Sequence, residues 1–142
     1  MPTNRKAFGV KIFISMAMLF STLHSAELDW LHDYEKALAQ AKKEKKDVYL
    51  FIGADVCKFC ERYKKNTLSD KSVLKRLKKD YVLVYMSRDQ HKVPSQFEVK
   101  GVPRHYFISS EGKLIYETRG DIEIAGFYIM LDEAELNKEY LE

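Results

Sequence analysis

The sequence predicts an α/β domain in which a central mixed β-sheet is flanked by helices on both faces. Three observations carry that expectation. Helical and strand-like segments alternate through the first part of the chain, which favours parallel strands joined by helical crossovers. Two later strands are separated by a short turn, which adds an antiparallel hairpin. The first strand is an unbroken apolar run, as expected when helices cover a strand on both sides.

Each element has its own signals. Asp29 can cap a first helix reaching about Lys45, with Leu31, Tyr34, Leu38 and Ala41 at helical spacing. The charge cluster Lys42 to Asp47 reads as its solvated end. Val48 to Ile52 is the first strand, and Gly53 to Val56 turns the chain into a helix from Cys57 to about Asn66. Ser69 or Asp70 caps a further helix. Val73, Leu74 and Leu77 form its inward face, and Lys75, Arg76, Lys78 and Lys79 its wet one. Tyr81 to Met86 is a second strand, followed by a polar loop. Pro94 can start a short helix through Val99. Gly101-Val102-Pro103 interrupts the chain. His105 to Ile108 and Leu114 to Thr118 are strands joined by the turn Ser109 to Gly112. A closing helix runs from Asp121 to about Leu131, with Ile124, Phe127, Tyr128 and Leu131 inward, and the remainder continues helical or frays.

The 142-residue length suits one domain, and the 46% hydrophobic and 32% charged content is that of an ordinary globular protein. The first 26 residues differ. Arg5, Lys6 and Lys11 make a basic start, Ile12 to Phe20 an apolar stretch, and Ser21 to Ala26 a small, polar exit. This is the layout of a secretory signal peptide cut after Ala26, leaving residues 27–142 as the mature domain. His24 is unusual there, because the position three before a cut favours a small residue. The apolar stretch is shorter than the roughly 20 residues of a membrane span, and an uncleaved anchor is the competing reading. The whole chain has 24 Lys+Arg against 21 Asp+Glu, and the leader holds three of the bases and no acid. The mature domain is therefore close to neutral, which argues against nucleic acid as a partner.

The two cysteines, Cys57 and Cys60, form the segment Cys57-Lys58-Phe59-Cys60 at a strand-to-helix junction. The first sulfur sits at a helix N-terminus, where backbone N–H groups and the helix dipole favour an anion. The second lies a turn further on the same face, within reach of a disulfide. A C-x-x-C can be an inert disulfide, half of a zinc site, or a redox centre. A disulfide over four residues closes too small a loop to add much stability. Zinc needs four ligands, and His32, His91 and His105 do not pair at zinc-finger spacing. Reversible thiol–disulfide exchange fits the position best. Export points the same way, since disulfides persist outside the cytoplasm. His91 and His105 read as a surface and a packed histidine. Phe59, between the sulfurs, is expected to be exposed and able to touch a substrate, or else packed over the disulfide.

The element order, the segment Leu50 to Cys60, the segment Leu68 to Val73 and the segment Val99 to Pro103 together resemble the thioredoxin-like family. More narrowly, they are similar to its exported members related to periplasmic disulfide-interchange enzymes. The resemblance covers Trp30 to about Leu131. It implies a thioredoxin-like fold, with Cys57 as the nucleophile and Cys60 as the resolving thiol. Pro103 then corresponds to the family's cis-proline, and Val102 before it offers backbone groups to an extended client segment. The implied activity is an exported, periplasmic thiol–disulfide oxidoreductase, soluble after cleavage, with reduction slightly favoured over oxidation. It acts on protein thiols and disulfides, requires no cofactor or metal, and draws on a membrane or periplasmic redox partner. No segment reads as a dimerisation domain, so a monomer is expected. The competing reading is a non-catalytic client-binding module built on Val102 and Pro103.

Four positions depart from the thioredoxin pattern. Val56 replaces the tryptophan before the first cysteine, and Phe51 the buried aspartate that assists the resolving thiol. Lys58-Phe59 replaces Gly-Pro, and Arg104 the threonine after the proline. Glu61 is a candidate substitute base, although it directly follows Cys60. Lys58 is expected to tune the site, because a positive charge beside the Cys57 thiolate stabilises the reduced form.

Overall fold

The computed structural model describes residues 30–141. The expected signal segment and the Asp29 cap lie outside the described residues. Eight elements follow in order: α1 (Tyr34–Glu44), β1 (Asp47–Gly53), α2 (Lys58–Asn66), α3 (Lys71–Asp80), β2 (Tyr81–Ser87), β3 (Arg104–Ile108), β4 (Leu114–Arg119) and α4 (Ile124–Glu139). They build a four-stranded sheet of order β2-β1-β3-β4. β1 pairs parallel with β2 across the α2–α3 crossover, and antiparallel with β3; β3 and β4 form the antiparallel hairpin. This is the mixed sheet expected from the sequence.

β1 is buried along its whole length, which explains its unbroken apolar run. Its side chains alternate between two cores. Val48, Leu50 and Ile52 meet Tyr34, Ala37 and Ala41 of α1, together with Phe97 and Tyr106. Tyr49 and Phe51 meet Trp30, the α2 residues Cys60 and Tyr63, Leu77 of α3, and Phe127 and Leu131 of α4. Among the described residues, no helix is long and apolar enough to cross a membrane.

The helix ends follow from local chemistry. Asp70 accepts hydrogen bonds from the N–H groups of Ser72 and Val73, so Asp70 rather than Ser69 caps α3. α1 starts later than its apolar spacing suggests. Leu31 bonds the outer edge of β2, its N–H to the Leu83 carbonyl and its carbonyl to the Tyr85 N–H, and Asp33 becomes the cap. The short helix expected from Pro94 to Val99 is absent. The chain makes one turn there, the Phe97 N–H bonding the Pro94 carbonyl at 3.1 Å, and beyond it the Tyr106 hydroxyl holds the Glu98 carbonyl and Arg88 the Val99 carbonyl. In α4, Phe127, Met130, Leu131 and Ala134 face inward as the helix runs to Glu139, whereas Ile124 and Tyr128 are exposed. Apolar residues surround the first turns of α4, so periodicity did not select the buried stripe. Lys138 of its last turn reaches Asp47 at 2.7 Å and ties α4 to β1.

Candidate functional site

The site forms where β1 leaves the sheet. The turn after Gly53 is clamped to the end of β2. Arg88 N–H bonds the Gly53 carbonyl, and Asp55 N–H bonds Asp89. The Asp55 carboxylate accepts from the Ser87 hydroxyl at 2.6 Å and from Gln90 at 2.8 Å. These two hydrogen bonds, that of Ser87 first, hold the Asp55 carboxyl below its usual range. A chain fixed this way delivers Cys57 to the start of α2 in a defined orientation.

Cys57 is itself the N-cap of α2, in extended backbone conformation. Its sulfur accepts the Cys60 backbone N–H at 3.1 Å, doing the work that a serine or aspartate oxygen does at other helix starts. The two cysteines are joined in a disulfide with an S–S distance of 2.03 Å. The pair is asymmetric: Cys57 is partly exposed and Cys60 fully buried. A helix N-terminus stabilises negative charge on the capping sulfur when the bond opens.

Around the disulfide the surface is apolar and cationic. Val56 is 96% exposed and Phe59 47%. Lys58 Nζ stands 5.3 Å and Arg62 Cζ 5.0 Å from the centre of the Phe59 ring. Phe59 is thus about half exposed, with two cations over its ring. Arg62 also pairs with Asp121. Glu61 is exposed and turned to Lys64, whose Nζ donates to it at 2.8 Å.

Ile52 pairs with Arg104, so Pro103 and Val102 leave the sheet at the end from which β1 leads to the cysteines. The Val102–Pro103 peptide is cis. Gly120 N–H holds the Pro103 carbonyl at 2.8 Å, and Arg104 Nε donates to the Lys100 carbonyl at 2.9 Å. Val102 is half-buried and Pro103 buried.

Beneath the site is a polar chain that the sequence reading missed. Fully buried His105 joins Tyr49 through Nδ1 at 2.8 Å and the Gly120 carbonyl through Nε2 at 2.8 Å. A carbonyl can only accept, so Nε2 carries the proton and Nδ1 accepts from the Tyr49 hydroxyl. Tyr49 must then accept from Tyr63, 2.9 Å away. Desolvation lowers the His105 pKa to about 4 against weaker help from Gly120 and Asp121. It raises Tyr49 and pushes Tyr63 up strongly. The chain is neutral and fully hydrogen-bonded at pH 7. Its one legible trace was a histidine at an inward position of β3.

His91 accepts from the Ser87 N–H, and its ring stacks on His32 at 4.9 Å. Among the described residues, no three histidine, cysteine or acidic side chains are grouped to hold a metal ion.

Comparison with known proteins agrees with this geometry. Residues 29–110 match a family described as thioredoxin-like. An uncharacterised protein of Archaeoglobus fulgidus is 29% identical over 85 residues, a match that spans 60% of this chain and 65% of that relative. Among solved structures, the fold resembles a DsbH oxidoreductase (TM-score 0.62, 22% identity, 78% of this chain and 87% of that one). It also resembles a thioredoxin from Thermus thermophilus (0.61, 23%, 75% and 85%). A third likeness is the oxidised C-terminal domain of DsbD from Neisseria meningitidis (0.60, 19%, 74% and 98%).

Proposed function

Because this chain belongs to the thioredoxin-like family and carries a C-x-x-C disulfide, we propose that it is an exported thiol–disulfide oxidoreductase acting on protein clients. One observation carries the reading. The Cys57 sulfur caps α2 and accepts the Cys60 N–H, while Cys60 is buried behind it. This arrangement supports Cys57 as an activated nucleophile and Cys60 as its sheltered resolving partner.

In the reducing direction, the Cys57 thiolate attacks one sulfur of a client disulfide. That bond breaks, its electron pair leaves on the second client sulfur, and a mixed disulfide remains. Cys60, deprotonated, attacks the Cys57 sulfur and expels the first client sulfur as a thiolate. The client has gained two electrons and the protein is left as its disulfide. Reversal oxidises a client dithiol. We slightly favour reduction, with electrons returned by a membrane or periplasmic dithiol partner, on the ground of the chain's resemblance to compact exported thioredoxin-like proteins. Residues 1–26 act as the export signal and residues 27–142 as a monomeric catalytic domain. Val102 and Pro103 receive an extended client segment by edge pairing, beside the exposed ring of Phe59.

Reduction of insulin by the wild type and by Cys57→Ser tests the activity. Turnover is expected only in the wild type. Cys60→Ser should accumulate mixed disulfides with clients, and Cys57→Ser none. Equal trapping by the two variants would count against the assignment of roles. Client affinity without turnover in any form would leave a binding module.

A further inference from the structure

The resolving step requires a thiolate on Cys60, and Cys60 is fully buried. Burial alone raises a thiol pKa and slows such a step. The charged groups nearby are otherwise engaged. Phe51 brings no carboxyl to the buried position beneath the helix, both ring nitrogens of His105 are bonded, and Glu61 is turned to Lys64. One polar side chain remains near the sulfur. Gly53 has no side chain, and the phenol of Tyr85 occupies the space that one would fill. A Cβ at Gly53 would lie 3.1 Å from the Tyr85 hydroxyl and 3.5 Å from the Cys60 sulfur. The Tyr85 hydroxyl, from β2, and the Cys60 sulfur, from α2, therefore border the same space above the bare backbone of β1.

Lys64 backs this hydroxyl. Its Nζ stands 4.6 Å from the centre of the Tyr85 ring and holds Glu61 at 2.8 Å. Burial works against the ammonium, but the bond to Glu61 and the proximity of Tyr85 outweigh it and leave Lys64 more firmly protonated. On its outer side Tyr85 lines an open cavity of about 450 Å³, shared with His32, Asp55, Glu61, Lys64 and His91.

We propose that the Tyr85 hydroxyl, held beside Lys64, stabilises the Cys60 thiolate and so sets the rate at which mixed disulfides are resolved. The proposal rests on the exchange chemistry given above. The Cys60 proton passes to the Tyr85 oxygen as the phenol's own proton leaves to solvent in the cavity that Tyr85 lines. The phenol keeps its O–H toward the sulfur that has become negative, with the positive charge of Lys64 over its ring. The thiolate then attacks Cys57, the bond from Cys57 to the client breaks, and the electron pair departs with the client sulfur. Tyr85 is a neutral phenol before and after the step.

The experiment mixes the reduced full-length protein with the aromatic disulfide 5,5′-dithiobis(2-nitrobenzoate) in a stopped-flow spectrometer. Two equivalents of coloured thiolate appear in sequence. The first reports attack by Cys57 and depends on reagent concentration. The second reports resolution by Cys60 and does not. Tyr85→Phe keeps the ring over Gly53 and removes only the hydroxyl. It should slow the second phase about ten-fold at pH 7, leave the first unchanged, and move the pH profile of the second phase to higher pH. Lys64→Met should act in the same sense with a smaller effect. A second phase of unchanged rate and pH profile in Tyr85→Phe would overturn the proposal, as would equal slowing of both phases. The assay needs only the two thiols. A failure of the wild type to reduce insulin would count against the oxidoreductase reading and would leave this measurement interpretable.

Discussion

His105 makes the stability of this domain depend on pH in a defined window. The ring is fully buried between Tyr49 and the Gly120 carbonyl, and its pKa falls to about 4. In an unfolded chain a histidine titrates near 6.5. Between those values the unfolded chain takes up a proton that the folded protein refuses, so stability drops as pH falls through the window. The contribution is complete above about 6.5 and is lost by about 4. A displacement of that size corresponds to about 3 kcal/mol. Protonation would also reverse the chain, because Nδ1 would have to donate to Tyr49, which now donates to it. Urea unfolding of the oxidised protein at several pH values measures the effect, with His105→Gln as the control. The wild type should lose about 3 kcal/mol more than the variant between pH 7 and pH 4, although the variant starts less stable. Asp33, Asp55 and Glu98, whose pKa values are lowered, are present in both proteins and cancel in the difference. Parallel pH profiles, or a His105 ring resonance titrating near 6.5 in the folded state, would refute the reasoning.

Two further predictions concern the rim of the site and its packing. Lys58→Glu replaces an exposed positive neighbour of Cys57 with a negative one and should make the reduction potential more negative, by on the order of 10–30 mV. Low salt should enlarge the shift; no shift at low salt in a folded variant would show that Lys58 does not tune the disulfide. Gly53→Ala places a methyl 3.1 Å from both a ring carbon and the hydroxyl oxygen of Tyr85 and should cost about 1–3 kcal/mol of stability in urea unfolding. Removing the ring as well, in Gly53→Ala with Tyr85→Ala, should give less than the sum of the single losses, and strict additivity would rule out the clash.

The sequence was most readable where one local signal had a single solution. The apolar run of β1 could only be a covered strand, and Cys57 opening a charged, periodic segment could only begin a helix. The Val102–Pro103 isomer came from family resemblance, since local sequence does not determine it. Errors arose where tertiary contacts overrode local signals. Leu31 fits a helical period, but its backbone bonds β2; the segment after Pro94 turns once and is then held against Tyr106 and Arg88. At the site, both sulfurs were found from spacing alone. Tyr85 was not, and His105 was read as packed but not as the centre of a polar chain, because both placements come from strand register. Phe51 lies opposite Tyr85 on one side and His105 on the other. No window along the chain contains that juxtaposition.

The same register explains how the domain can lack the acid its family places beneath the resolving thiol. Phe51 fills that position and packs against Trp30, Tyr63, Tyr85 and His105, at centroid distances from 5.2 to 6.4 Å. A carboxylate among these rings would be stranded, because His105 and the two tyrosines already satisfy one another. The polar chain below the disulfide is therefore closed and neutral, suited to holding the sheet and α2 in place. Charge has to be handled at the side instead, where Tyr85 crosses Gly53 and Lys64 meets an open cavity. The two networks are separable by experiment. His105 variants should change stability with pH and leave the resolution rate nearly intact, whereas Tyr85→Phe should do the reverse.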